Sequence, residues 1–261
     1  MQLAGIGRAM FWGGGSLWLA LITGGNGLHL HHAVQISLPL SGSVRFRRSQ
    51  STQWVDYPGA LIAPDLPHAF DAPGVVVANI LFEPESAAGR ALLNRYGGQG
   101  ISALSSQLAS RLVAPLAKAY AAEATDAVLV QLAQDVIAEL SGVAGPAGAT
   151  DLRVLKAIAY IRTHLHEPIS LSSIADAAGL SASRMRHLFV NETGVSCWAF
   201  VLWERLNVAL EMGFGGASWT EAAHAANFAD SAHLSRTCRR MFGMAPTAAR
   251  IQGAAQSVVT A

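Results

Sequence analysis

A chain of 261 residues suits two domains of ordinary size, each burying its own core. Hydrophobic residues make up 51% and charged residues 13%, which excludes an intrinsically disordered chain. A net charge of +1 excludes indiscriminate polyanion binding, so any contact with nucleic acid must come from a local cluster of Arg. The two cysteines, Cys197 and Cys238, lack metal-ligand spacing and stand in apolar sequence, which points to reduced core thiols instead of a disulfide framework. The N-terminus lacks the pattern of a signal peptide, and the apolar run 17–23 is too short to span a bilayer. A soluble cytoplasmic protein with no membrane partner is therefore expected.

Residues 11–83 break into short apolar segments, 16–23, 34–40, 44–47, 60–64 and 75–82, separated by Gly, Pro and Asp. That spacing predicts a small antiparallel barrel or sandwich. Val44 and Phe46 alternate with Ser43, Arg45 and Arg47, as in a strand with one wet face, whereas 75–82 is apolar on both faces and reads as buried. After Pro84, Ala and Leu recur at helical spacing over 87–96, 104–121 and 126–140. In the last of these, Val128, Leu132, Val136 and Leu140, with Leu129, form one apolar face. It serves either to pack on the barrel of its own chain or to form a homodimer. Residues 142–150, rich in Gly and Ala around Pro146, have no periodicity and read as a linker. The expected division is 1–142 (barrel about 10–83, helices about 86–141), a linker at 143–150, and a second domain at 151–252.

The second domain contains a repeat. SLSSIADAAGLSASRMRHLF (170–189) and SWTEAAHAANFADSAHLSRTC (218–238) each begin with a Ser suited to capping a helix. Apolar residues follow at i, i+3, i+4 and i+7: Leu171, Ile174, Ala175 and Ala178 in one, Trp219, Ala222, Ala223 and Ala226 in the other. Each short helix ends at a residue that tolerates a left-handed backbone, Gly179 or Asn227. A second helix comes next. Its apolar face carries Met185, Leu188 and Phe189 in the first copy and Leu234, Thr237, Cys238 and Met241 in the second. The opposite face carries Ser183, Arg184, Arg186 and His187 in the first copy, and Ser231, His233, Ser235, Arg236, Arg239 and Arg240 in the second. A helix held by one apolar face while presenting short polar groups and Arg is what reading a major groove requires. Arg239 and Arg240, further along their helix, are better placed for phosphates.

This half, roughly 151–250, resembles the AraC/XylS family of bacterial transcription regulators. The matching residues are the 171–180 helix and turn, 189–194, Arg205 with Leu206 and Ala209, and above all NFADSAHLSRTCRRMFGMAP at 227–246. The resemblance implies an α+β chain. An N-terminal cupin-like β-barrel with flanking helices would sense an effector or dimerise, and a C-terminal all-α seven-helix domain would hold two helix-turn-helix units joined by a long helix at about 198–212. It implies double-stranded DNA and a small-molecule effector as partners, and RNA polymerase where the protein acts as an activator. Two departures stand out. Asn227 replaces the usual Gly of the second turn, and Cys238 replaces a usual core Phe, leaving a void unless a neighbour fills it.

In the first half, His29, His31 and His32 with Gln35, and His68 after the 64–67 turn, form the candidate effector-binding constellation. Cupin metal sites combine two His in an HxH arrangement, a Glu shortly after, and a later His. Here no Glu follows until Glu83, and Gln35 stands near the place of the acid. A polar role lining an effector pocket is therefore preferred, with no cofactor, no resident metal and no catalysis. The competing reading is a cupin-type metal-dependent enzyme or metal sensor fused to the DNA-binding domain. A DNA-alkylation-repair protein would need reactive Cys in the first half, and none precedes Cys197.

Overall fold

The computed structural model describes residues 4–143 and 151–251, so the expected linker, but for residue 143, lies outside the described residues. The chain begins with eight strands: β1 (Gly5–Trp12), β2 (Gly15–Ile22), β3 (Val34–Pro39), β4 (Val44–Arg47), β5 (Val55–Tyr57), β6 (Ala60–Ile62), β7 (Ala69–Asp71) and β8 (Val76–Phe82). Helix α1 (Ala87–Tyr96), strand β9 (Ile101–Ala103), and helices α2 (Ser106–Ala121) and α3 (Asp126–Ser141) complete the first half. The strands form a seven-stranded sheet in the order β10-β1-β2-β8-β3-β6-β9 and a three-stranded sheet in the order β5-β4-β7, β10 being the C-terminal strand Ala249–Ile251.

The apolar character of β8 on both faces has a simple cause. Val77 joins Ile22, Val44, Phe46, Ile62 and Phe70 in one core, which draws on both sheets. Ala78, Ile80 and Phe82 point the other way, into a larger core with Leu92 of α1, Leu112 and Leu116 of α2, and Leu129, Val136 and Leu140 of α3. The apolar stripe on α3 is therefore covered by the sheet of its own chain, and of its residues only Val128 is markedly exposed. Of the two readings of the stripe, the packing follows the one in which it covers its own chain. Arg8 of β1 ties the start of α3 down, pairing with Asp126 and donating to the Ala124 carbonyl at 2.6 Å.

The second half runs α4 (Leu152–Thr163), α5 (Leu171–Ala177), α6 (Ala182–Thr193), α7 (Cys197–Phe214), α8 (Trp219–Ala225) and α9 (Ser231–Phe242), then a 3-10 turn (Pro246–Ala248) and β10. Helices α4, α5 and α6 with the start of α7 close a core around Val154, Ile161, Ile174, Met185, Phe189 and Phe200. The second unit does not. Its core of Leu206, Leu210, Phe214, Ala222, Phe228, Leu234 and Phe242 continues into Ala9, Trp18, Ala33 and Leu81 of the barrel. This departs from the expectation of two independent cores. Strand β10 crosses the same seam, pairing in parallel with β1 in the register Gly5↔Ala249 to Gly7↔Ile251. Cys238 is itself buried, in the same core as the Trp18 indole and the Phe242 ring, whose centroids lie 5.3 Å apart.

Candidate nucleic-acid interface and the histidine pocket

Each helix-turn-helix unit is built by local chemistry. Ser170 caps α5 in a reciprocal box with Ser173, and Ser218 caps α8 in a box with Glu221, whose carboxylate accepts from the Ser218 amide at 2.9 Å. The turns pass through the left-handed region at Gly179 (φ 67) and Asn227 (φ 56), where Asn is the non-glycine residue that strains least. The second turn is one residue longer, since α6 starts after the cap Ser181 and α9 after the cap Asp230. Asp230 accepts from the His233 amide at 2.6 Å.

On α6, Ser183, Arg184, Arg186 and His187 are exposed while Met185 and Phe189 are fully buried. On α9, Arg236, Arg239 and Arg240 are exposed, but Ser231, His233 and Ser235 are only half so. The His233 ring lies edge-on to Phe228 at 5.2 Å, which orients it on the turn. Arg205, known from the sequence only as part of a resemblance, has a defined structural role. Its guanidinium donates to the Leu165 and Glu167 carbonyls at 3.1 and 2.8 Å and so anchors α7 to the segment between α4 and α5. Arg162 of α4 reaches Glu204 of α7 at 3.2 Å and pairs with Glu83 at the end of the barrel. Neither contact has a local sequence signal.

The histidines divide. His29, His31 and His68 gather at one side of the three-stranded sheet, with ring centroids 4.2 Å (His29–His68), 5.2 Å (His31–His68) and 5.8 Å (His29–His31) apart. Burial, aided by the neighbouring imidazoles, pushes His29 down to about 3 and His68 well below the ordinary range; burial also lowers His31, against contacts with Gln35 and Ala33 that favour its protonated form. Each of these shifts favours the neutral ring. His32 does not belong with them, which corrects the expected constellation. It faces the other way, against Phe200 of α7, with Glu85 at 3.1 Å and Asp65 at 3.6 Å. Burial works against its protonation, but these two carboxylates prevail and raise it to about 9. Alternation carries the signal: His29 and His31 share a parity along an extended segment and His32 does not.

His29, His31 and Gln35 line a cavity of about 70 Å³, closed by Trp18, Phe70, Phe242, Met244 and Ile251. Its walls thus come from both halves of the chain. A larger crevice of about 460 Å³, for which no sequence signal exists, lies between Trp12, Glu83 and Phe82 of the barrel and Arg162, Trp203, Glu204 and Glu211 of the helices. Burial raises the thiols of Cys197 to about 11 and Cys238 to about 12, so both stay protonated and inert. Among the described residues no helix is long and apolar enough to cross a membrane.

Residues 174–252 match the protein family described as "Helix-turn-helix domain". The probable transcriptional regulator LumQ of Photobacterium leiognathi is 29% identical over 89 residues, 34% of this chain and 36% of LumQ, so the match spans about a third of that relative. The crystal structure of ToxT from Vibrio cholerae O395 superposes with a TM-score of 0.56 at 10% identity, covering 94% of each chain. ToxT from strain SCE256 with an unsaturated fatty acid bound gives 0.53 at 10% identity, covering 89% of this chain and 92% of that one. The family match falls within the helical half, from inside α5 through β10. The likeness in fold to ToxT, a sheet-rich half followed by a helical half, extends over nearly the whole chain.

Proposed function

We propose that this chain is a ligand-responsive transcription regulator of the AraC type that works by binding and carries no catalytic step. Its recognition helices α6 and α9 enter successive major-groove segments of a double-stranded operator. The observation that carries this reading is the matched pair of helices, each with its apolar face buried and its arginines exposed. Arg184, Arg186 and Arg236, with Ser183, His187, Ser231, His233 and Ser235, are assigned to base edges and nearby backbone; Arg239 and Arg240 are assigned to phosphates.

The effector is assigned to the seam between barrel and second unit. The cavity at His29, His31 and Gln35 is far below the roughly 300–1,000 Å³ of an ordinary small-molecule site. A ligand of more than a few atoms enters only if Phe242, Met244 or Ile251 withdraws, which would move the end of α9. Its volume makes the larger crevice beside Arg162 and Glu204 the second location. That ToxT, a chain of similar fold, has been crystallised with an unsaturated fatty acid bound supports an effector-binding role in general. With the α3 stripe covered, binding as a single chain carrying two recognition helices is favoured over a homodimer, and contact with RNA polymerase follows if the protein activates.

The test is selection of bound sequences from a random DNA pool with the full chain, followed by Arg236→Ala on the selected site and on random DNA. The variant is expected to lose about 1–3 kcal/mol on the selected site and much less on random DNA. Equal losses on both would sink the base-reading role.

A further inference from the structure

His29, His31 and His68 are buried, and one ring nitrogen of each lies within 4.8 Å of the other two. Their Nδ1 atoms are all spoken for by backbone carbonyls: His29 by Gly27 at 2.8 Å, His31 by Ala33 at 3.1 Å and His68 by Leu66 at 2.8 Å. A carbonyl oxygen only accepts, so each Nδ1 carries its hydrogen. In a neutral ring, Nε2 is then left with a bare lone pair. Reciprocal amide bonds of 2.9 Å between His29 and His68 hold those two residues side by side. Three rings with one tautomer, set by three separate backbone contacts, match the outer-shell arrangement that orients histidine ligands on a metal.

Two further observations point to a cation. The first is His68 Nε2, which is buried without a hydrogen-bond partner among the described residues. The second is Gln35, whose Oε1 lies 2.9 Å from His31 Nε2. The amide nitrogen of Gln35 donates to Ser37 at 2.8 Å and Asn79 at 3.2 Å, and Ser37 donates to Asn79 at 2.6 Å. This network holds Oε1 toward Nε2, lone pair against lone pair, a contact that asks for a proton or a cation between them. Reversing Gln35 and Asn79 together would give His31 a hydrogen but would leave His68 Nε2 as it is.

We propose that His29, His31 and His68, with Gln35 Oε1 as a fourth donor, bind one divalent transition-metal ion. Three imidazoles and a neutral carbonyl oxygen suit zinc, nickel or copper over magnesium or calcium, which require oxygen ligands. Imidazoles at about 2.0–2.1 Å from one ion place their nitrogens roughly 3.3 Å apart in tetrahedral geometry, so shifts on the order of 1 Å close the set. No carboxylate enters it, so the bound ion keeps its charge and attracts a small anion into the cavity. This deepens the effector reading, on which it rests for the role of the cavity.

The experiment uses the untagged full chain, stripped with chelator and titrated with zinc and then with cobalt, whose visible spectrum reports ligand type. One equivalent per chain at micromolar affinity or tighter is expected, with a nitrogen-dominated cobalt spectrum. Affinity should fall about 100-fold in His68→Ala and in His29→Gln, and Gln35→Glu, which adds a charge, should bind about tenfold more tightly. Thermal melting identifies the folded variants, and His29→Gln, whose side chain keeps a similar reach, serves if His68→Ala does not fold. Binding of less than one equivalent to the folded chain, or unchanged affinity in a folded histidine variant, overturns the proposal. DNA selection is run on the same metal-stripped and zinc-loaded protein. Sequence selection without metal binding sinks the metal site alone, and metal binding without sequence selection sinks the regulator alone.

Discussion

The amide of Gly27 donates to the carbonyl of Gly243 at 3.1 Å, which fastens the histidine-bearing loop of the barrel to the residue that ends α9. The Leu30 amide does the same to the Arg240 carbonyl at 3.3 Å. Gly243 is required twice over: its φ of 71° is left-handed, and a Cβ there would stand 2.4 Å from the Gly27 carbonyl and 2.8 Å from His29 Nδ1. Gly243→Ala should therefore destabilise the chain by about 2 kcal/mol or more, measured by urea unfolding. A loss under about 0.5 kcal/mol would mean that this junction is not closed in solution.

Trp18 lies in the barrel sheet, yet its ring meets Phe214 of α7 at 5.5 Å and Phe242 of α9 at 5.3 Å. Trp18→Ala is expected to cost about 3–5 kcal/mol. It should also weaken binding to selected DNA, although Trp18 is buried and lies on a barrel strand. DNA titration under conditions where the variant remains folded checks this. Unchanged affinity would show that the seam stabilises the second unit without orienting it.

The exposed arginines on the two recognition helices are Arg184, Arg186, Arg236, Arg239 and Arg240. If each released its counterion on binding, the logarithm of affinity would fall with the logarithm of salt at a slope no steeper than about −4.5. Titrations across a range of salt concentrations measure it. A much steeper slope would require phosphate contacts from elsewhere on the chain.

What is legible in the residues alone is local. The repeated apolar spacing of α5 and α8, the capping boxes at Ser170 and Ser218, and the left-handed turns at Gly179 and Asn227 each depend on residues within a few positions of one another. The short strands β5, β7 and β9 escape detection because three residues hold too little alternation to register. Strand β1 escapes it because Gly5, Gly7 and Arg8 dilute its apolar pattern. The site is half legible: the histidines are visible as a group, but their division into a converging trio and the His32 ion pair with Glu85 depends on contacts across the fold.

The sequence by itself determined that this chain carries two helix-turn-helix units with arginine-bearing recognition helices, because helix period, caps and turn residues act over short range. Only the tertiary structure decided how the α3 stripe is used, that β10 pairs with β1, that the second unit completes its core with Trp18, and that His68 meets His29 and His31. Those outcomes follow from burial shared between segments far apart in the chain. An apolar or neutral side chain shows in sequence that it must be covered, but not by what.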